Sequence, residues 1–596
     1  METVARHVRR VFSIDLRSLA LFRMGLGLLL LADLIDRARD LRVHYTDWGV
    51  APRYAIDLFA NEWQWSLHFI SGRAEVMAAL FVLAGVFALM LFAGYRTRLA
   101  TVLSWLLLIS LHERNFMLLY GADEMLRMLL FWSMFLPLGA YYSVDSALNS
   151  STEPKPKMLL NLCGFFMLAQ MFMVYVVTAV FKSGAAWHAD GTALYYALSL
   201  ERFTTPVGLW VLHWPPELLK RMTQSIWWLE MVGPFLLFCP VFFTPVRLLT
   251  ILAFVSLHVG LWLTMGLGIF PWVNWLAFTI FIPSGFWNRV LEKLKTPERS
   301  GMVIYYDGDC GFCKKMVYLI RTFWLIPEVA LQVAQNDPER FAQLQAENSW
   351  VVVDHLGQTH YKFEALLYVM RQSPVLWWLA LLLKRPLFAE PGTAAYEWVA
   401  NHRKMSARFV RCLSFNELRY HTPLSAQALA LYAFICVLIW NLTVLDKPVI
   451  KEQPEWARRS SLFLGLNQYW RMFAPQPPDE DGWFVIPGKL FDGREVDIYR
   501  AGAPASFAKP LLVSAEYKNK RWHKFLENIW LAKNADKRLY YGRYLCRQWN
   551  DTHSGNERLD TFKIYFVLEK TLPHYQTAPL EPVMLWEHHC WDKRPE

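Results

Sequence analysis

Apolar residues in this chain occur in long runs that are separated by short polar stretches. Several runs are shorter than the ~20 residues that a perpendicular spanning helix needs, so their ends are approximate. The candidate membrane spans are Leu19–Ile35, Val76–Gly94, Leu99–Leu111, Met125–Tyr142, Met158–Phe181, Ser225–Phe243, Val246–Leu267, Phe270–Phe286 and Ala428–Leu445. The pattern predicts a polytopic α-helical membrane protein with about eight to nine transmembrane helices.

The more polar parts of the chain form two regions. Residues 302–420 alternate strand-like and helical patterns, which indicates a small α/β domain. Residues 446–596 combine strand-like segments around turns with the helical segment "RWHKFLENIWLA", which indicates an α+β domain. Residues 1–290 would then form the transmembrane domain, and residues 428–445 an additional transmembrane helix.

Lysine and arginine residues flank the apolar runs and suggest an orientation. Those that share one side if the N-terminus is cytoplasmic are Arg6, Arg9, Arg10, Arg96, Arg98, Lys155, Lys157, Arg247, Arg289, Lys293 and Lys295. Three others, Arg37, Arg39 and Arg42, fall on the opposite side. We expect an integral protein of a bacterial inner membrane, with the α/β domain cytoplasmic and the C-terminal domain periplasmic or extracellular.

Composition supports a lipid environment and argues against nucleic acid. Hydrophobic residues make up 55% of the 596 residues and aromatic residues 16%, which is above the globular average. The formal net charge of +10 comes from cations at the ends of apolar runs, and these do not form one basic patch or stripe. The lipid bilayer is therefore an expected partner, and nucleic acid is not.

Two cysteines, Cys310 and Cys313, lie in "YYDGDCGFCKK", between a strand-like run and a helical run. The first turn of a helix offers free N–H groups and a favourable dipole, and both stabilise a thiolate. Lys314 and Lys315 add positive charge. A gap of two residues lets the sulfurs meet across one helical turn, so the second thiol can resolve a mixed disulfide.

Three other interpretations of this stretch stay open. Structural zinc would need two more ligands, and the remaining cysteines show no second close pair. Asp307 and Asp309 imitate the carboxylate pair of haloacid-dehalogenase-type phosphatases, for which Asp354 is the available downstream carboxylate. The third possibility is a turn without chemistry.

Polar residues within or beside the apolar runs are functional candidates, because they are costly in a bilayer. These candidates are Asp123, Arg127, Lys182, Glu230 and His258. A lysine buried at the end of a span can lose its proton and act as a base. The structural alternatives are an ion pair between Glu124 and Arg127, a Lys182 that extends to the interface, and a packing role for His258.

The C-terminal region contains two cysteines, Cys546 and Cys590. If this region lies outside the cell, they are candidates for a disulfide. His588 and His589 precede Cys590 directly, so a metal site is an alternative, although three adjacent ligands fit a tetrahedral site poorly.

The stretch "YYDGDCGFCKKMV", followed in order by "ALLYVMRQ", "PVLWWLALLLKRP" and "YEWVANHR", resembles the DCC family of thiol-disulfide oxidoreductases over about residues 302–415. The resemblance implies a thioredoxin-like domain with Cys310 as nucleophile and Cys313 as its partner. It also implies a protein thiol as partner.

The stretches "ERNFMLLYGADEMLRMLLFWSMFLPLG", "VVTAVFKSGAAWHADG" and "LHVGLWLTMGLGIFPW" resemble the HTTM region related to vitamin K-dependent gamma-carboxylase. The resemblance covers about residues 10–290, and Lys182 followed by Trp187 matches the lysine that deprotonates reduced vitamin K in that enzyme. Asn115 is followed by Phe116 where the carboxylase has a histidine, which argues against glutamate carboxylation.

Together the two resemblances imply a membrane thiol-disulfide oxidoreductase coupled to a carboxylase-like domain. A quinone or a vitamin K-like hydroquinone is the implied lipophilic cofactor. The alternative is a scaffold or maturation factor that binds a secreted client through its C-terminal domain.

Overall fold

The computed structural model describes residues 8–58, 63–573, 576 and 578–591. The helices of the N-terminal domain are α1 Leu16–Ala38, α2 Leu41–Tyr45, α3 Ala74–Ala93, α4 Thr97–Arg114, α5 Gly121–Ser133, α6 Val144–Ala147, α7 Leu162–Phe181, α8 Ala193–Ser199, α9 Pro206–Leu212, α10 Pro216–Leu236, α11 Phe243–Thr264, α12 Phe270–Phe278, α13 Ser284–Leu294 and α14 Pro297–Ser300. Two short strands, β1 Ile14–Asp15 and β2 Met158–Leu159, pair antiparallel beside them.

Within the described residues, five helices are long and apolar enough to cross a membrane: α1, α3, α7, α11 and Leu424–Thr443. This result does not confirm the predicted count of eight to nine. The predicted span Met125–Tyr142 contains only part of α5, which has 13 residues and is buried along nearly its whole length. The predicted span Phe270–Phe286 is likewise divided between α12 and a 3-10 turn. Apolar runs therefore also form the buried interior of this domain.

The segment between Gly184 and Arg221 contains the short helices α8 and α9 and the start of α10. Each of α8 and α9 has seven residues, so neither can cross a bilayer. They lie at the same end of the domain as Lys182.

The second domain contains β3 Val303–Tyr306, α15 Gly311–Phe323, β4 Ala330–Val333, α16 Pro338–Glu347, β5 Val351–Val353, β6 Thr359–Tyr361, α17 Lys362–Gln372, α18 Trp377–Leu383, α19 Pro386–Asn401 and α20 Arg403–Phe409. The sheet order is β4-β3-β5-β6; β3 and β4 are parallel, and the β3-β5 and β5-β6 pairs are antiparallel. Buried side chains of β3, α15 and α17 form its core. The alternating pattern predicts an α/β domain, and the observed sheet order is consistent with the thioredoxin-like form that the DCC resemblance implies.

The chain then continues through α21 Leu424–Thr443 and α22 Glu455–Phe463 into the C-terminal domain. Its elements are β7 Glu480–Val485, β8 Pro487–Leu490, β9 Glu495–Asp497, α23 Lys520–Trp530, α24 Arg538–Asn550, β10 Leu559–Lys570 and β11 Glu581–His589. The strands form one antiparallel sheet in which β10 pairs with β7, β8 and β11. One hydrophobic cluster joins this domain to the N-terminal domain, with Phe525 and Leu526 beside Tyr45, Phe81 and Leu118.

The helix that leads to the α/β domain and the C-terminal domain contact opposite ends of α1. At its start, Ser18 accepts a hydrogen bond from the indole of Trp287, in the helix that leads to the α/β domain. Just beyond its other end, Asp40 accepts hydrogen bonds from Lys518 and Asn519 of the C-terminal domain. A helix of 23 residues is about 34 Å long, so the bulk of the membrane domain separates the two attachments.

Candidate active sites

The structure places Cys310 and Cys313 at the junction of β3 and α15. Cys310 is the N-cap residue of α15, and its sulfur accepts a hydrogen bond from the backbone N–H of Cys313 at 3.2 Å. The two residues form a disulfide with their Cα atoms 5.3 Å apart, and both are partly exposed. An N–H group directed at the sulfur stabilises its thiolate once the disulfide is reduced. This geometry suits reversible disulfide exchange.

The neighbouring lysines make contacts away from the sulfurs. Lys315 donates to the carbonyl of Val410 at 3.0 Å, and the Lys314 ammonium lies 5.0 Å from the ring centre of Phe415. These contacts tie α15 to the segment that leads to α21. The electrostatic support for a thiolate at Cys310 therefore comes from the helix terminus.

The aspartates of "DGD" have structural partners. Gln335 donates to the carboxylate of Asp307 at 2.7 Å, and Asp307 also accepts from the backbone N–H of Asp309 at 3.0 Å. Asp354 follows Val353, which pairs with Val303 at the start of β3, whereas Asp307 follows the end of that strand. The four residues of β3 span about 13 Å, which is the separation along the strand between the two ends that these aspartates adjoin. The carboxylates that phosphatase chemistry would need together are therefore at opposite edges of the sheet.

An apolar groove of about 350 Å³ adjoins Cys313. It lies between α15, α17 and α19, and its walls include Phe312, Met316, Trp350, Phe363, Tyr396, Val399 and Arg403. The indole N–H of Trp350 is buried without an acceptor. The groove thus offers aromatic surfaces, one unused hydrogen-bond donor and a guanidinium group beside a reactive sulfur.

Sequence patterns did not reveal this groove, because its two sides come from helices about 80 residues apart. The sides meet at Gly392, where an added Cβ would lie 2.3 Å from the ring of Phe363. The one local signal is the small residue in "EPGTAAYEW", which permits close approach of α19 to α17.

Lys182 and Glu230, two separate candidates in the sequence, form one buried ion pair. The ammonium of Lys182 contacts the Glu230 carboxylate at 2.5 Å and lies 4.2 Å from the ring centre of Trp187. Lys182 follows the last residue of α7, and Glu230 lies on α10. Their side chains are 4% and 9% exposed, so neither extends into water. Burial in a pair contradicts the alternative that Lys182 extends to the interface.

His258 is positioned near this pair by a chain of polar contacts. Its Nδ1 lies 2.8 Å from the carbonyl of Phe254, and its Nε2 lies 3.5 Å from the hydroxyl of Tyr175. The Tyr175 hydroxyl donates to Asn274 at 2.9 Å. Tyr175 lies two helical turns before Lys182 on α7, hence on the same face. The structure therefore collects a lysine, a carboxylate, a tyrosine, a histidine and an amide at one end of the membrane domain.

Asp123 belongs to a different buried network, which joins the membrane and C-terminal domains. Its carboxylate binds Arg37 at 2.5 Å and Arg521 at 2.6 Å, while Asp33 binds the same two arginines at 2.8 and 2.5 Å. His112, Asp33 and Asp123 present a possible set of metal donors. Two guanidinium groups already neutralise the two carboxylates, so this arrangement favours structural ion pairing over a metal site.

Arg127 does not pair with Glu124, contrary to the sequence-based alternative. It donates to the carbonyl of Asn467 at 2.6 Å, and Glu113 is its nearest carboxylate, at 4.0 Å. The Glu124 side chain accepts from the backbone N–H of Tyr469 at 2.7 Å. Both residues therefore hold the segment after α22 against α5.

The two cysteines of the C-terminal domain lie together. Cys546 on α24 and Cys590 after β11 form a disulfide with their Cα atoms 5.5 Å apart. This disulfide links α24 to the edge of the sheet, where β11 ends. Burial lowers the pKa of the neighbouring His588 to about 4, assisted by the positive charge of Arg543.

Comparison with protein-family models finds two matches along the chain. The HTTM domain model matches residues 12–286, and the DCC1-like thiol-disulfide oxidoreductase model matches residues 304–409. No curated protein and no solved structure gives a significant match. The matched segments coincide with the helical domain that holds Lys182 and with the α/β domain that holds Cys310. The chain is a fusion of an HTTM domain with a DCC1-like thiol-disulfide oxidoreductase domain.

Proposed function

We propose that the protein is a membrane-embedded thiol-disulfide oxidoreductase whose active dithiol is Cys310 and Cys313. The observation that carries this proposal is the position of Cys310 at the N-cap of α15, where its sulfur accepts a backbone hydrogen bond. A thiolate of a substrate dithiol attacks the Cys310 sulfur of the Cys310–Cys313 disulfide, which forms a mixed disulfide and releases the thiolate of Cys313. The second thiolate of the substrate then attacks its own sulfur in the mixed disulfide, which releases the substrate as a disulfide, releases the thiolate of Cys310 and leaves both enzyme cysteines reduced.

Single serine substitutions test these two roles. Cys313→Ser should accumulate a mixed disulfide with a disulfide substrate, and Cys310→Ser should form none. Cys412→Ser, which changes an exposed free cysteine, is the control and should behave like the wild type. Full dithiol-dependent activity in Cys310→Ser would remove this site from the reaction.

We further propose that the second reactant of the dithiol is a quinone-type lipid. The groove beside Cys313 supports this, because its aromatic walls suit a flat ring and the N–H of Trp350 has no acceptor of its own. A quinone bound there supplies an acceptor for the two electrons and two protons that leave the dithiol. Trp350 and Arg403 would orient its carbonyl groups, and the apolar walls would exclude water.

In the membrane domain, we assign proton exchange to the Lys182 and Glu230 pair. The Lys182 ammonium contacts the Glu230 carboxylate away from water, so an acid and a base lie together in one contact. This pair lies toward the C-terminal domain, whereas Cys310 lies beyond the other end of α1. Direct contact between the two sites is excluded by that separation, and a lipid-soluble carrier is needed to connect them.

The lipids that copurify with the protein distinguish a quinone bound at the membrane site from a quinone bound in the groove. Mass spectrometry of wild type, Lys182→Ala and Trp350→Phe should find a quinone in the wild type. Loss in Lys182→Ala would assign it to the membrane site, and loss in Trp350→Phe would assign it to the groove. Phospholipid alone in all three samples would contradict the quinone proposal.

The opposite attachments of the soluble domains support a sidedness for a bacterial inner membrane. We place the oxidoreductase domain in the cytoplasm and the C-terminal domain outside, where the Cys546–Cys590 disulfide would persist. Of the three arginines that oppose this orientation in the sequence, Arg37 is buried in the network with Asp33 and Asp123, whereas Arg39 and Arg42 are exposed. A buried, neutralised arginine is a weak indicator of topology.

A second candidate function is the binding of a secreted client. A cleft of about 720 Å³ lies between the segment after Lys182 and the start of the C-terminal domain, and its walls include Asp190, Tyr195, Tyr196, Glu217 and Asp479. Its acidic and aromatic lining favours a cationic peptide segment. Enrichment of such clients on the full chain, lost in Asp479→Lys, with no redox turnover in membranes, would favour this function.

A further inference from the structure

The last three helices of the oxidoreductase domain expose an apolar face. Outside these helices and their immediate flank, the large apolar side chains of the matched domain that are strongly exposed within the described residues are Phe323 and Leu356. Ten others lie between residues 375 and 409: Val375, Trp377, Trp378, Leu381, Leu382, Leu387, Phe388, Trp398, Met405 and Phe409. We call these ten residues the apolar face. A contiguous patch of this kind marks a contact with a partner.

The apolar face is not the side of α19 that packs on its own domain. Gly392, Tyr396 and Val399 face the groove beside Cys313. Leu387 and Trp398, on the same helix, are 77% and 52% exposed. The helix therefore has one side toward the redox site and a second apolar side that no other described part of the chain covers.

Both ends of the apolar face lie close to the membrane domain. Before it, Gln372 accepts a hydrogen bond at 2.7 Å from Arg299 of the short helix α14, which follows α13. After it, the carbonyl of Cys412 accepts a bond at 2.8 Å from Tyr95, which follows the spanning helix α3 by two residues. Phe409 is three residues from Cys412, hence within about 11 Å of it. Both ends of the face therefore lie beside segments that follow helices of the membrane domain.

The charges around the apolar face match an anionic membrane surface. Lys384, Arg385, Arg408 and Arg411 are exposed, and none pairs with a carboxylate within the described part of the chain. Residues 375–411 contain six Lys and Arg residues and two Glu residues. Exposed cations beside an apolar surface are attracted to an anionic leaflet.

We propose that the apolar face lies on the bilayer, in the interface of the leaflet on its own side. Trp377, Trp378 and Trp398 suit the headgroup level, where indole rings are enriched. Leu387 and Phe409 reach about 5–10 Å deeper, to the boundary of the acyl chains. The occupant of this face is anionic phospholipid, and the contact orients the domain with α19 between the lipid and Cys313.

Depth-dependent quenching tests this contact on the full chain in vesicles of phosphatidylglycerol and phosphatidylcholine. A bimane label is placed at Leu387→Cys or at Leu356→Cys, with Cys239→Ser and Cys412→Ser in both and the Cys310–Cys313 disulfide kept oxidised. Leu356 is the matched control, because it is a 71% exposed leucine in the β5–β6 turn of the same domain. Lipids with a nitroxide on the acyl chain should quench the label at position 387 at least about twofold more than the label at position 356.

Two results would overturn the proposal. Equal quenching at both positions would show that the face does not meet lipid. Crosslinking of the Leu387→Cys chain to a second copy, without quenching, would show that another molecule of this chain covers the face. A further variant, Lys384→Glu with Arg385→Glu, should reduce quenching in anionic vesicles and leave thiol-disulfide exchange at Cys310 unchanged. Quenching that this reversal leaves intact would contradict the role assigned to anionic lipid.

Discussion

At the scale of single residues, the buried Lys182 and Glu230 pair gives a testable energy relation. Removal of one partner leaves an uncompensated charge, which costs about 3–5 kcal/mol, whereas removal of both leaves none. Lys182→Met and Glu230→Gln should each lower the apparent unfolding temperature, and the double variant should lower it less than either. Thermal unfolding in detergent checks this. Additive losses in the double variant would mean that the two side chains do not interact.

A second residue-scale prediction concerns pH. Burial lowers the pKa of the Lys520 ammonium to about 7 from its ordinary 10.5. Between these values the unfolded chain binds the extra proton, so stability should rise with pH from about 7 to about 10, by about 1 kcal/mol per pH unit. Lys520→Met should lack this rise when unfolding is measured at about pH 7 and about pH 9. An equal rise in the stability of Lys520→Met would show that other titratable groups cause the pH dependence.

At the scale of elements, α23 is the part of the C-terminal domain that binds the membrane domain most tightly. Arg521 on this helix contacts Asp33 and Asp123. Arg521→Met should cost about 3–5 kcal/mol, because both carboxylates then share one arginine. Hydrogen exchange of α23 should accelerate in this variant. The control is Arg543→Met, at an exposed arginine on α24, which should leave the hydrogen exchange of α23 unchanged. If the α23 amides stay protected in Arg521→Met, this result would contradict the anchoring role of Arg521.

The sequence predicts local elements better than their long-range partners. The strand-to-helix position of Cys310 follows from a pattern within ten residues. The contact of Lys182 with Glu230 joins different helices 48 residues apart, and that of Asp123 with Arg521 joins positions 398 apart. Nothing in the periodicity of one helix specifies which helix lies against it. The predicted count of spans is not confirmed for a related reason, because α5 combines a largely apolar run with Asp123, Glu124 and Arg127 and lies inside the domain.

At the scale of the whole molecule, the proposed sidedness can be measured with native and added cysteines. Cys412 is exposed beside the oxidoreductase domain, and Leu511 is fully exposed in the C-terminal domain. A membrane-impermeant maleimide should label Leu511→Cys, made with Cys412→Ser and Cys239→Ser, in intact cells. It should label Cys412 only after permeabilisation. Labelling of both positions in intact cells would show that the two domains share one side.

The buried network between the membrane and C-terminal domains also fixes an order of assembly. Asp33, Arg37 and Asp123 are synthesised hundreds of residues before Arg521, which supplies the second positive charge. Until Arg521 reaches them, Asp33 and Asp123 share the single positive charge of Arg37, so this network carries one excess negative charge. A late step in the biogenesis of this protein is therefore the formation of the ion pairs of Arg521 with Asp33 and Asp123. A chain released before residue 521 would present an incomplete membrane domain to quality-control proteases.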